Sequence, residues 1–451
     1  MTTAQRIDKA ATQRFYFPKR NVLVLVMFFF FGAGCVSTGA EEDGSRTPRR
    51  VEEMRSERGG AAGFSTTSST AQTIQFHREG DETSVPILQL SNTEQLRLEF
   101  DIIEDQGRPL SVYFYHADRN WRRDLSPSEY LESFQRDDIL DYRPSRGTET
   151  NFVHYSYAFP NESIQFLISG NYIVRVSEQG DEDRVLFERP FFISEQRTPV
   201  NMALESVILP GFASTGVQPF AVFTPPSNTQ ATPFNYSVCF ARNGAIDGLR
   251  CTDQASLMNQ PALEFYLTPA NVFEPTASSY FLDLTSLRLS NRIEGIDRSV
   301  SPFELDLEPD LGRLGAAGFG PLLNGQIVVS QASHDVADPD LAGQYVNVNF
   351  RFVPEGGRRY GSDLFVVGSF NNWQLEQSSK LIWIPERTRY EGSVLIKQGQ
   401  YDYEYMTTSE AVNRQLRNGV PRLENTYTAF VYFDDISLQT DRLISVGGTT
   451  R

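Results

Sequence analysis

The sequence predicts an all-β protein of three consecutive β-sandwich domains, placed behind a signal sequence and a flexible tether. Two observations carry the fold class. The first is a hydrophobic period of two. Leu96, Leu98, Phe100 and Ile102 alternate with Arg97, Glu99 and Asp101, and Tyr172, Val174 and Val176 alternate with Ile173, Arg175 and Ser177. The pattern returns at Val346, Val348, Phe350 and Phe352, and again at Tyr401, Tyr403 and Tyr405. One apolar and one polar face per strand is the mark of antiparallel sheets packed face to face. The second is punctuation: turn residues such as Gly170-Asn171 and Asn371-Asn372 separate the runs, and helix signals are scarce.

Taken in chain order, residues 1–34 read as an export signal of lipoprotein type. Arg14, Lys19 and Arg20 precede an apolar run from Val22 to Phe31. That run is far short of the roughly 20 residues a membrane-spanning helix needs, and it suits a signal core. "GAGC" then places small residues directly before Cys35, similar to a bacterial lipobox, in which the cysteine carries the lipid. Ordinary cleavage beside a chance cysteine is the alternative. Residues 35–72 form the lipidated end and a tether rich in Ser, Thr and Gly, with too little apolar surface to repay ordering. Such a coil has a reach on the order of 30 Å.

Three stretches follow as folded domains: 73–196, 197–305 and 342–451. An irregular Gly/Pro-rich linker is expected at 306–341. The chain has three cysteines, an odd count that asks for an explanation in an exported protein. Cys239 and Cys251 bracket "FARNGAIDGLR", whose Asn-Gly and Asp-Gly pairs signal a turn between strands. A hairpin would let them bond in an oxidising compartment, leaving Cys35 for the lipid; two reduced, buried cysteines are the alternative.

Net charge is −16, and the first 34 residues hold five basic and one acidic residue, so the remainder carries −20. Phosphate binding needs clustered positive charge, which argues against nucleic acid as a partner. Beyond residue 34 the only lysines are Lys380 and Lys397.

Signals of chemistry are sparse. His77, His116, His154 and His334 are scattered, with no partner at metal-ligand spacing, so no metal site and no cofactor are expected. H-E-x-x-H, G-x-S-x-G and glycine-rich phosphate loops are absent from the sequence. His116, Asp118 and Ser126 can be imagined as a triad. Ser126 is better explained as a helix cap, because Pro127 follows it and Glu129 lies three positions on, as a capping box requires. Tyr130, Leu131 and Phe134 would then face inward. Glu178, Asp181, Glu182 and Asp183 in "EQGDED" read as a solvated loop rather than a glycosidase pair. No catalytic residues are assigned, and the chain reads as a non-enzyme.

Two resemblances complete the reading. "VVGSFNNWQ", Val366 to Gln374, with the hairpin that ends in Tyr401, Tyr403 and Tyr405, resembles the early-set, immunoglobulin-like domains that bind glycogen or starch. That likeness makes Trp373 and Trp383 candidate sugar contacts, against a role as core or fold signature, which is favoured. "HADRNWRRDLSPSEYLESF", with "VPILQLSNTEQLRLEFD" before it and "HYSYAFPNESIQFLISGNYIVRV" after, is similar to the N-terminal domain of type IX secretion system plug proteins. The likeness continues through the third domain to "TDRLISV". It implies a periplasmic protein, held by its acyl anchor in outer-membrane lipid, that closes the periplasmic mouth of the giant barrel translocon. A glycan-binding outer-membrane lipoprotein is the alternative.

Overall fold

Alternating side chains become sheets because one face of each run has nowhere to go but against another sheet. The computed structural model describes residues 68–212, 214–227, 232–256, 261–275, 279–312, 320–332, 338–417, 422 and 424–451. The signal segment, Cys35 and most of the expected tether lie outside the described residues. The all-β expectation holds: among the described residues helices are short, α1 (Pro127–Tyr130), α2 (Pro339–Ala342) and α3 (Glu410–Leu416).

In the first sandwich one sheet joins β1 (Ala71–Arg78), β3 (Leu96–Ile102), β7 (Val153–Phe159) and β6 (Tyr142–Pro144), in that order. The facing sheet runs β2 (Ile87–Gln89), β9 (Val185–Ser194), β8 (Gly170–Glu178), β4 (Leu110–Ala117) and β5 (Arg136–Ile139). Leu96, Leu98, Phe100 and Ile102 are at most 1% exposed and meet Phe114, Val174, Val176 and Phe187 of the opposite sheet. Phe100 meets Phe187 edge-on at 4.9 Å. Each such buried aromatic is worth about 1.5–3 kcal/mol over leaving it in water.

The predicted helix is the single turn α1. The Glu129 carboxylate accepts from the Ser126 N–H at 2.8 Å and from its hydroxyl at 2.6 Å, so Ser126 is bound to a structural task. Tyr130 and Leu131 turn inward as expected. Phe134 does not: it is 68% exposed, because the chain has already left the helix and entered an extended run along residues 163–165.

The remaining strands depart from the expected boundaries. In the middle sandwich, one sheet holds β10 (Asn201–Val207), β11 (Gly216–Phe223), β15 (Leu263–Tyr266) and β14 (Ala255–Ser256). Its second sheet pairs β13 (Arg250–Thr252) and β12 (Tyr236–Arg242) with the C-terminal hairpin β25 (Thr426–Asp435) and β26 (Thr440–Thr450). The third sandwich is therefore inserted into the middle one. It begins at β16 (Tyr280–Asp283), β17 (Ile293–Asp297), β18 (Glu304–Leu307) and β19 (Asp310–Leu311). It continues through β20 (Tyr345–Val353), β21 (Leu364–Gly368), β22 (Lys380–Ile384), β23 (Arg389–Lys397) and β24 (Gln400–Thr407). These nine strands form one continuous ladder, in which β22 pairs with β21 on one side and β23 on the other. Val346, Phe350, Val366 and Tyr403 share the core the ladder encloses.

Two segments thus move. Residues 280–307, expected in the middle domain, pair with β20 and β24 of the third. Residues 426–450, expected in the third, close the middle sandwich, with Tyr427, Ala429 and Val431 in its core. Nor is 306–341 a bare linker, since Leu323, Ile327 and Val329 are buried.

Candidate functional site

The polar groups with the most developed surroundings lie where sandwiches meet. On the outward face of β3, Asp101 is 1% exposed although its neighbours mark it as a solvent residue. The third sandwich covers it. Lys397 at the end of β23, also 1% exposed, places Nζ 2.6 Å from Asp101 Oδ2 and donates to the Asp340 carbonyl at 2.6 Å. The Tyr345 hydroxyl donates to the same Asp101 oxygen at 2.8 Å, with the Thr73 hydroxyl 2.7 Å behind it. His154 on β7 lies 2.9 Å from Asp101 Oδ1. Burial alone would raise the Asp101 carboxyl, but Lys397 and His154 outweigh it and hold it below its ordinary value. Burial works against a charged His154, yet Asp101 and Glu99 push that imidazole up to about 9. Around this group Arg143 pairs with Asp338 at 2.9 Å, and Arg146 N–H donates to the Leu341 carbonyl at 2.8 Å.

A second seam joins the first sandwich to the C-terminal hairpin. His116 is fully buried, with Nδ1 2.7 Å from Asp124 Oδ1 and Nε2 3.2 Å from the Ser169 carbonyl. The other Asp124 oxygen accepts from the Thr440 hydroxyl. The imagined triad therefore does not form: the histidine's partner is Asp124, and Ser126 is engaged by Glu129. The Tyr432 hydroxyl donates to Asn171 Oδ1 at 2.8 Å, and Arg442 Nε donates to Glu195 Oε1 at 2.8 Å. Phe192 and Phe430 pack with tilted rings at 4.5 Å, and Trp121 meets Phe192 edge-on at 5.4 Å. The run from His116 to Phe134 is scaffold.

A cavity of about 310 Å³ opens where the three sandwiches converge, lined among others by Phe76, Arg189, Ile246, Trp373 and Asp402. Burial pushes the Asp402 carboxyl up to about 7. The same cause brings the Arg189 guanidinium down to about 9. Neither histidine nor cysteine is among the described lining residues.

The remaining predicted positions are quickly placed. Cys239 and Cys251 face each other across β12 and β13 and are joined by a disulfide. Trp373 packs on Phe365, Val367 and Met406, whereas Trp383 meets Tyr390 edge-on at 5.0 Å in a different cluster. The two indoles thus make no common sugar platform. In the acidic loop Glu178 is bound by Arg108 at 2.8 Å, and Glu182 accepts from the Tyr115 hydroxyl. Cys35 lies outside the described residues.

Sequence reasoning missed Asp101, Lys397 and the pairing of His154 with them. It also missed that His77 and His154 flank one carboxylate, Glu99, which lies within 4.8 Å of both His154 and Asp340. Their spacing along the chain carries no trace of this, because three strands and α2 supply them. The one available hint was that Lys397 is one of two lysines in the body of the chain.

No curated protein matches the chain. Among solved structures, it is similar to a hypothetical protein from Parabacteroides merdae ATCC 43184, known from a crystal structure at 2.30 Å resolution. The two share 22% identity and superpose with a TM-score of 0.74, covering 86% of this chain and 99% of that one. At that identity the likeness establishes a common fold. Residues 71–195 match the model of the family described as "Type 9 secretion system plug protein 1st domain". The matched span is that of the first sandwich, so the likeness to that family is a likeness of this domain.

Proposed function

We propose that the protein is a non-enzymatic periplasmic plug, which occludes the periplasmic mouth of the giant outer-membrane barrel translocon of the type IX secretion system. The observation that carries this reading is the family match over residues 71–195. Closing a wide pore asks for a body whose parts keep their places, and needs no reactive group. The two polar seams support such a role, since each joins sandwiches through buried, charge-assisted hydrogen bonds that cost several kcal/mol to open. The third sandwich acts as an early-set structural module in this reading. Cys35 carries the acyl anchor in outer-membrane lipid, and tethering raises the effective concentration of the body at the barrel.

Purification of the translocon from native membranes tests the proposal. The chain is expected in the complex, and its deletion is expected to make the outer membrane leaky to large antibiotics. Absence from the complex together with an unchanged barrier would overturn the reading. Mass spectrometry of the mature N-terminus checks the anchor: a diacylated or triacylated Cys35 is expected, and a free thiol there refutes it.

A further inference from the structure

The outward face of the first sheet carries two histidines that the plug reading does not use. His77 on β1 and His154 on β7 flank Glu99 on β3, each as a diagonal cross-strand neighbour. His77 and His154 are 3% and 2% exposed. Each ring is oriented through Nδ1, by the Arg78 carbonyl at 2.9 Å and by Asp101 Oδ1 at 2.9 Å. A carbonyl and a carboxylate can only accept, so Nδ1 carries the proton, and in the neutral ring the lone pair sits on Nε2.

Neither Nε2 has a hydrogen-bond partner. Both are aimed at the same carboxylate, His77 Nε2 3.7 Å from Glu99 Oε2 and His154 Nε2 3.9 Å from Glu99 Oε1. Those separations are too long for hydrogen bonds. They approach the roughly 3.3 Å between two ligand atoms of a tetrahedral zinc ion with bonds of about 2.0 Å. From the third sandwich, Asp340 on α2 completes the group: Glu99, His154 and Asp340 each present a ligand atom within 4.8 Å of the others. A divalent cation at the centre of these three would satisfy the orphaned His154 nitrogen and neutralise both carboxylates together, while His77 stands outside the group beside the other oxygen of Glu99.

We propose that Glu99, His154 and Asp340 bind a first-row divalent transition-metal ion of the zinc class, which staples the third sandwich to the first. The imidazole among the three donors selects this class over Mg²⁺ and Ca²⁺, which take oxygen. The Asp101 carboxylate behind His154 is the usual outer partner of a metal-bound imidazole. It is itself held by Lys397 and Tyr345. Asp340 is the ligand from the far side of the seam, so metal binding and seam closure are one event.

Metal analysis of the full mature chain, stripped with EDTA and titrated with Zn²⁺ by calorimetry and thermal melting, tests the site. About one equivalent and a higher Tm are expected, and Co²⁺ loading should give visible ligand-field bands. His154→Ala should weaken binding by more than the roughly 10–100-fold typical of an outer-shell change. Asp340→Asn alters a half-buried group and keeps the fold testable. It should weaken binding while leaving the circular dichroism spectrum unchanged. If the stripped protein takes up none of Zn²⁺, Co²⁺ and Ni²⁺ at about millimolar concentration, or if Asp340→Asn and Glu99→Gln both bind as the parent does, the site is refuted. In that case the imidazoles hold protons in place of a metal.

Discussion

Lys397 Nζ sits 2.6 Å from Asp101 Oδ2, and the contact joins residues 296 positions apart, each 1% exposed. Taking one partner away strands a charge that burial forbids. Lys397→Ala is therefore expected to cost about 3–5 kcal/mol in urea denaturation. Asp101→Asn combined with Lys397→Met leaves no net charge behind and should recover part of that loss. A single-variant cost under about 1 kcal/mol would mean that water reaches the pair and that the seam is open in solution.

Burial makes the chemistry of β24 depend on pH. Asp402 is pushed from its ordinary 3.8 up to about 7. Below the lower value, folded and unfolded chains both hold the proton, and the site costs nothing. Between about 3.8 and about 7 the unfolded chain releases it while the folded chain keeps it, so stability falls as pH rises. The penalty is complete above the upper value. Asp402→Asn should accordingly raise Tm at pH near 8 and change it little near pH 4, flattening the slope between. Equal effects at both ends would show that the carboxyl is solvated.

The period-two runs made the first and third sandwiches visible because an inward face must be apolar whatever packs on it. They could not reveal what covers the other face. Asp101 and His154 look like solvent residues in their strands, and they are buried because a different sandwich lies over them. Pairing is equally silent. Tyr236 stands opposite Phe433 in the β12–β25 ladder, and no local pattern says that a strand's partner lies beyond an inserted domain. The cap at Ser126 was legible since its partner, Glu129, is three residues away. The Cys239–Cys251 pairing was legible for the same reason, its loop being short and full of turn residues.

Two aromatics four residues apart, Tyr130 and Phe134, should respond in opposite ways to substitution. The Tyr130 hydroxyl donates to the buried Phe114 carbonyl at 2.8 Å, so Tyr130→Phe is expected to cost about 1 kcal/mol. Phe134→Ser, at a side chain 68% exposed, should stay within about 0.5 kcal/mol of the parent. Chemical denaturation of the two variants side by side decides it. A large loss at Phe134 would restore the inward-facing helix that the sequence alone suggested.

Truncation distinguishes the inserted topology from three domains in a row. β25 and β26 are two of the four strands in the second sheet of the middle sandwich. Tyr427, Ala429, Val431 and Ile444 share one core with Phe223, Val238 and Phe265. A chain ending at residue 417 therefore loses half a sheet from a domain whose other strands lie some two hundred residues upstream. Limited proteolysis of that chain should cut within 201–275. A fragment near 71–195 should survive, because the core of the first sandwich draws on residues 71–193 alone. Were the domains consecutive, the same deletion would expose only the third, and protection of 201–275 would be retained. Protected middle strands in the truncated chain would thus contradict the β12–β25 ladder.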